Sequence, residues 1–247
     1  MLSLAPSEWL LAIVAALGMG VSKGGLAGVS LLHVLIFAFL FGARDSTGVV
    51  LPLLVVGDLC AVWALHRHAR WDHVWPMLPP ACVGVMVAAF FMRGISDAAY
   101  RPLIGTIVLS LAILQALRMY RPGWLGDVPH SAGARWSIGF VAGVATMLAN
   151  AAGPIFGLYC LAVALPKFEL VGTLAWFFFL INVFKLPFSA GLGLIRADTL
   201  LLNAVLVPAV VVGVLSGRWL VHRLSQRVFD ALLLTFAGLA ALRLIIG

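Results

Sequence analysis

Long apolar runs, each closed by a short polar cluster, recur along the chain. A run of about 20 residues crosses a ~30 Å hydrocarbon core as a helix. These runs are continuous, whereas barrel strands alternate apolar and polar residues, so the pattern predicts helices and excludes a transmembrane barrel. Three full-length spans are expected in the first half, over roughly 46–65, 74–92 and 97–118. Three more are expected in the second half, over roughly 168–187, 199–220 and 228–246. Between them lies "RMYRPGWLGDVPHSAGAR", a polar stretch rich in Gly and Pro that reads as a linker. The chain thus divides into a first transmembrane repeat at 1–120, a connecting loop at 121–135 and a second repeat at 136–247.

The halves share more than a span count. "PPACVGVMVAAFFMRGISDAAYRPLIG" resembles "VPAVVVGVLSGRWLVHRLSQRVFDALLL", with Gly84 against Gly213, Ala88 against Gly217, Ser96 against Ser225 and Tyr100 against Phe229. Upstream, "RWD" at Arg70–Asp72 parallels "RAD" at Arg196–Asp198. An internal repeat follows.

Each half opens on an anomalous segment, 6–41 and 136–165, too long for one helix and too short for two comfortable crossings. Their centres are "GVSKGGLAG" and "LANAAGPIFG". Glycine and proline at that density break a helix. Broken backbone exposed to lipid finds no hydrogen-bond partners, so the centres must be buried in protein or line an aqueous cavity. Paired interrupted segments at matching places in two repeats point to a transporter binding site. A close contact of small residues between helices is the other reading. If each segment is a hairpin returning to its starting side, the repeats are inverted. The polar ends near 67–70, 118–135, 167 and 218–227 then share one side, which holds more Lys and Arg and faces the cytoplasm.

Composition agrees. The 247 residues are 63% hydrophobic and 10% charged, against roughly 45–50% and about 25% in a soluble domain. The net charge of +7 lies mostly at span ends, where basic residues set orientation, and calls for no nucleic acid. Cys60, Cys82 and Cys160 fall inside apolar runs and read as small packed hydrophobes. The N-terminal apolar stretch lacks a basic region before it and reads as a retained helix. His66, His68 and His73 cluster in a basic loop, read as a solvated surface rather than a metal site. No cofactor or metal is expected. No nucleophile–base pair, phosphate loop or ATPase motif is present, so an enzyme is not expected.

Few ionisable residues fall at bilayer depth, where a charge costs roughly 2.5–3.5 kcal/mol and needs a partner or a function. Asp58 and Lys185 occupy nearly equivalent places in the two repeats. Two readings stand: an ion pair between them, or Lys185 attracting an anion while Asp58 binds a proton. Lys23 sits beside two glycines at the first break. A half-helix N-terminus with a lysine beside it suits an anion, and the N–H groups of Gly24 and Gly25 are expected to be open to one. Ser22 belongs to the same stretch. Asn150 and the Gly153–Pro154 step supply the matching break, and Asn182 stands one turn before Lys185.

"GVSKGG", "VLPLLVVGDLCAVWALHRH", "AGP" and "LPKFELVGTLAWFFFLINVFKLP", in that order, resemble the TauE/SafE sulfite exporter family, also called the toluene sulfonate uptake permeases. The resemblance spans essentially the whole chain and includes the Asn-x-x-Lys-x-Pro step at Asn182, Lys185 and Pro187. It implies a carrier of small sulfur-containing anions such as sulfite, sulfonates or sulfoacetate.

The expected protein is an all-α, multi-pass secondary transporter in the inner membrane of a bacterium. Its two repeats each join a Gly-rich broken hairpin to three spans. Its partners are a small anion and the bilayer, and a homodimer is compatible with this reading. An anion channel of the same fold and a non-transporting scaffold or sensor are the alternatives.

Overall fold

The computed structural model describes residues 4–25, 30–120 and 131–220, then positions 235, 238–239, 241–242 and 245–246. The described residues form helices and no strand. The helices are α1 (Pro6–Lys23), α2 (Ser30–Phe41), α3 (Ala43–Leu65), α4 (Trp71–Met92), α5 (Asp97–Tyr120), α6 (Ala132–Ala149), α7 (Gly153–Ala162), α8 (Lys167–Gly191) and α9 (Ala197–Leu220). Six are long and apolar enough to cross a membrane: α3, α4, α5, α6, α8 and α9. Five of these cover expected spans. Most of the sixth expected span, 228–246, lies outside the described residues, as do most of the linker and the Ser225 and Phe229 positions of the repeat.

Both anomalous segments break where glycine and asparagine predict. α1 stops at Gly24, and Gly25 has φ 121°, a conformation closed to most side chains. Residues 26–29 of that break lie outside the described residues. α6 stops at Asn150, left-handed at φ 52°, whose N–H returns to the Thr146 carbonyl as a helix C-cap. α7 then opens on Gly153 and Pro154, a proline in the first turn where its missing N–H costs nothing. α6 starts at Ala132, ahead of the expected segment 136–165, because the Ser131 side chain accepts from the Ala134 N–H. Its 18 residues are long enough to span.

Two glycine seams hold the helices together. Gly20 and Gly24 of α1 face Gly213 and Gly217 of α9; a Cβ at Gly24 would meet the Val214 carbonyl at 2.6 Å. In the other seam Gly84 of α4 meets the backbone of Phe140 and Val144 of α6, and Gly143 meets that of Ala81. Small residues let backbones approach to full dispersion contact, which drives helix association where lipid is as apolar as the side chains. In both seams residue numbers rise together, so α1 runs parallel to α9 and α4 parallel to α6. α3 and α8 cross the centre antiparallel: Gly48 faces Leu194, Asp58 faces Asn182 and Arg70 faces Thr173.

The ends of this central pair carry matched ionic clamps. Arg70 binds Asp72 and Glu169, each at 3.0 Å. Arg196 binds Asp45 and Asp198, each at 3.3 Å. Hydrogen bonds, first to Asp72 and then to Glu169, push the Arg70 guanidinium above its ordinary pKa. Arg70-x-Asp72 and Arg196-x-Asp198 are the two copies of the tripeptide matched in the sequence.

Candidate functional site

A cavity of about 100 Å³ opens between the first break, the Asn150 break and the central α3–α8 pair. With one water needing roughly 10–15 Å³, it holds several water-sized groups. Its polar lining includes Ser22, Lys23, Ser30, His33, Asn150 and Asn182. The rest of the lining is largely apolar, with Leu54 and Ala61 of α3 and Val171, Leu174 and Phe178 of α8.

Lys23, the last residue of α1, points its ammonium into this space. Nζ lies 2.5 Å from Asp58 Oδ1 and 4.8 Å from the centre of the Phe178 ring. Its side chain keeps 15% of its surface exposed, against none for Asp58. The second Asp58 oxygen accepts from Asn182 Nδ2 at 2.7 Å. Asp58 of α3 is thereby held by α1 and by α8, which makes a buried carboxylate tolerable.

Lys185 lies one turn along α8 from Asn182, at 1% exposure and behind the cavity lining. Its Nζ donates to the Thr146 carbonyl at 2.8 Å, Thr146 Oγ1 at 3.1 Å, Asn150 Oδ1 at 2.5 Å and Asn182 Oδ1 at 3.2 Å. Asn150 Nδ2 in turn donates to the Thr47 carbonyl at 3.0 Å. Lys23, Asp58, Asn182, Lys185 and Asn150 thus form one continuous network across both breaks. Its charges are two lysines against one aspartate.

The expected residues separate on inspection. Ser22, Lys23, Gly25, Asp58, Asn150, Gly153 and Asn182 reach the cavity, whereas Gly24, Pro154 and Lys185 do not line it. The expectation that the Gly24 and Gly25 N–H groups are open to an anion is overturned. Gly24 N–H donates to the Gly20 carbonyl at 2.9 Å and Gly25 N–H to that of Ser22 at 3.2 Å. α1 presents its C-terminal end here, so its amides are consumed in its own last turn. Gly24 serves the seam with α9 instead. The direct Asp58–Lys185 pair is also replaced: Asp58 pairs with Lys23, and Asn182 bridges to Lys185.

Four participants escaped the sequence reading: Thr146, Ser30, His33 and Phe178. His33 carried a usable signal, since a histidine inside an apolar helix is an ionisable group at bilayer depth. Thr146 carried none, because a threonine in a transmembrane helix can satisfy its hydroxyl on its own backbone. Among the described residues no cluster of His, Cys, Asp and Glu can hold a metal ion, and Cys60, Cys82 and Cys160 are free. His73 instead shares a 2.9 Å hydrogen bond with the Tyr159 hydroxyl.

A family model described as "Sulfite exporter TauE/SafE" matches residues 11–244. No curated protein and no solved structure matches the chain.

Proposed function

The chain belongs to the TauE/SafE sulfite exporter family, and from that premise we propose that it is a secondary transporter exporting a small sulfur-containing anion. The observation that carries the reading is the Lys23 ammonium, which reaches the cavity and has Asp58 as its ion-pair partner. A cation at bilayer depth needs a partner or a function, and a monoanion in the cavity supplies the second. Lys23 is the contact, being the lysine that reaches the cavity. Ser22 and Asn150 add polar contacts, and Gly153 leaves room for them. The apolar lining residues Leu54, Val171, Leu174 and Phe178 favour a sulfonate with a small hydrocarbon part over bare sulfite.

Asp58 competes with the anion for the Lys23 ammonium. Its protonation frees Lys23 for the anion, which couples anion and proton movement. The two parts of the chain act as inverted repeats in this reading. Support comes from the parallel α1–α9 and α4–α6 seams, the antiparallel α3–α8 pair and the clamps at the two ends of the centre. The side bearing Arg67, Arg70 and Arg135 then faces the cytoplasm, in a bacterial inner membrane.

Flux of radiolabelled sulfite and of a small sulfonate into proteoliposomes tests the proposal. Saturable flux with counterflow is expected. Non-saturating flux would convert the reading to a channel, and no flux of either anion would end it.

A further inference from the structure

Anion binding does not account for the surroundings of Lys185. Its ammonium is sealed behind the cavity and meets four oxygens: the Thr146 carbonyl and hydroxyl and the amide oxygens of Asn150 and Asn182. None belongs to a carboxylate. An ammonium has three protons, so the acceptors outnumber the donors and converge on a single cationic point. The Thr146 carbonyl lies in the last turn of α6, where the partial negative charge of the helix dipole collects. The amide orientations are tied down as well. Asn150 Nδ2 is committed to the Thr47 carbonyl and Asn182 Nδ2 to Asp58, so both oxygens must face Lys185. Carbonyl, hydroxyl and amide oxygens gathered at the end of a broken helix make the donor set by which half-helix C-termini hold small coupling cations.

We infer that this oxygen cage is a monovalent-cation site that the chain fills with its own ammonium, so that Lys185 replaces a free coupling cation. Its meaning for transport rests on the reading proposed above; its chemistry does not. Because the tethered cation never leaves, anion movement needs no sodium or potassium. Lys185 is then a positioning residue, which sets Asn150 and Asn182 at the cavity wall.

The test uses the full-length protein in detergent with no anion substrate added. Thermal unfolding is read in choline, sodium, ammonium and methylammonium chlorides at equal ionic strength. The unaltered protein should unfold at one temperature in all four. Lys185→Ala empties the cage and should unfold at a lower temperature in choline. The loss should be recovered progressively as methylammonium, ammonium or sodium is raised, as a ligand binding only the native state requires. Lys185→Met fills the space without charge and should stay low in every cation. A Lys185→Met protein as stable as the unaltered one would assign the side chain to packing and overturn the inference. So would a folded Lys185→Ala protein that responds to no cation. If Lys185→Ala cannot be obtained folded, anion uptake by the unaltered protein decides: equal uptake in choline and sodium supports the cage as self-filled, and a requirement for sodium or potassium overturns it. Unfolding is read without anion, so a failed cage leaves the transport reading standing. Absent flux beside an intact cation response would strike the transport reading alone.

Discussion

Two lysines lie within one network, and they are in different situations. Lys23 stands at a helix end, paired with a carboxylate, partly exposed to a cavity and capped by an aromatic ring. Lys185 stands inside α8, sealed from the cavity and held by neutral oxygens alone. A lysine at bilayer depth is expensive wherever it is, but the compensation differs. Lys23 is balanced by one carboxylate at the lining of a cavity. Lys185 is balanced by fixed dipoles that nothing soluble can displace. An intramembrane charge therefore does not announce its role; the partner does.

The sharpest way to break this contrast is to exchange partners. Removing one member of a buried charge network costs about 3–5 kcal/mol, so Lys23→Met and Lys185→Met should each lower the unfolding temperature strongly. Adding Asp58→Asn should recover most of the Lys23→Met loss, because the pair is then removed as a unit. It should leave the Lys185→Met loss largely in place, because those four oxygens remain unsatisfied. A thermal-shift series on the singles and both doubles reads the coupling. Recovery of the Lys185 variant instead would make Lys185 the partner of Asp58.

Transport separates the lysines at the next level. Asp58→Asn should abolish flux driven uphill by a pH gradient while sparing downhill counterflow, measured in proteoliposomes with imposed gradients. Retained pH-driven flux would make Asp58 a structural partner only.

Anion affinity is a smaller effect. A buried charge-assisted contact contributes roughly 1.5–3 kcal/mol, so Lys23→Ala should weaken sulfonate binding about ten-fold or more, read by calorimetry. A correctly folded Lys23→Ala protein with unchanged affinity would remove this residue from the site. Accessibility refines the same point. Ser22→Cys should react with a small water-soluble thiol reagent, since Ser22 lines the cavity, and saturating sulfonate should slow the reaction. Inertness from both sides in transport-active vesicles would place the stretch in dry packing.

The smallest effects belong to the clamps. Arg196 and its partners Asp45 and Asp198 are each 40% exposed or more, and exposed pairs contribute little to stability. Arg196→Gln should barely move the unfolding temperature. Any larger effect should show in flux, since the clamp ties the start of α3 to the start of α9.

Much of this architecture was legible in the chain. Five spans, both breaks and the matched tripeptides follow from run length, glycine and asparagine, and charge at the ends. These are local signals: a helix break depends on φ angles that only certain residues adopt, and a span depends on the apolar length of one segment. The candidate site was legible as a set of residue types. Lys23, Asp58, Asn182 and Lys185 stand out because each is polar where polarity is costly.

The pairing among them was not legible, and the reason is geometric. Whether Asp58 meets Lys23 or Lys185 depends on how α1 seats against α3 and how α8 crosses it, and the α3–α8 contact joins residues 124 positions apart in the chain. The same seating turned Gly24 away from the cavity and toward α9. It also presented the C-terminal end of α1 to the site, so that the Gly24 and Gly25 amides are spent within that last turn. Sequence alone determined which residues must find partners, since the cost of burying them is intrinsic to each side chain. Tertiary structure alone decided which partner each one found, because a hydrogen bond is made or lost within about half an ångström, and no local pattern specifies distance between helices that precisely.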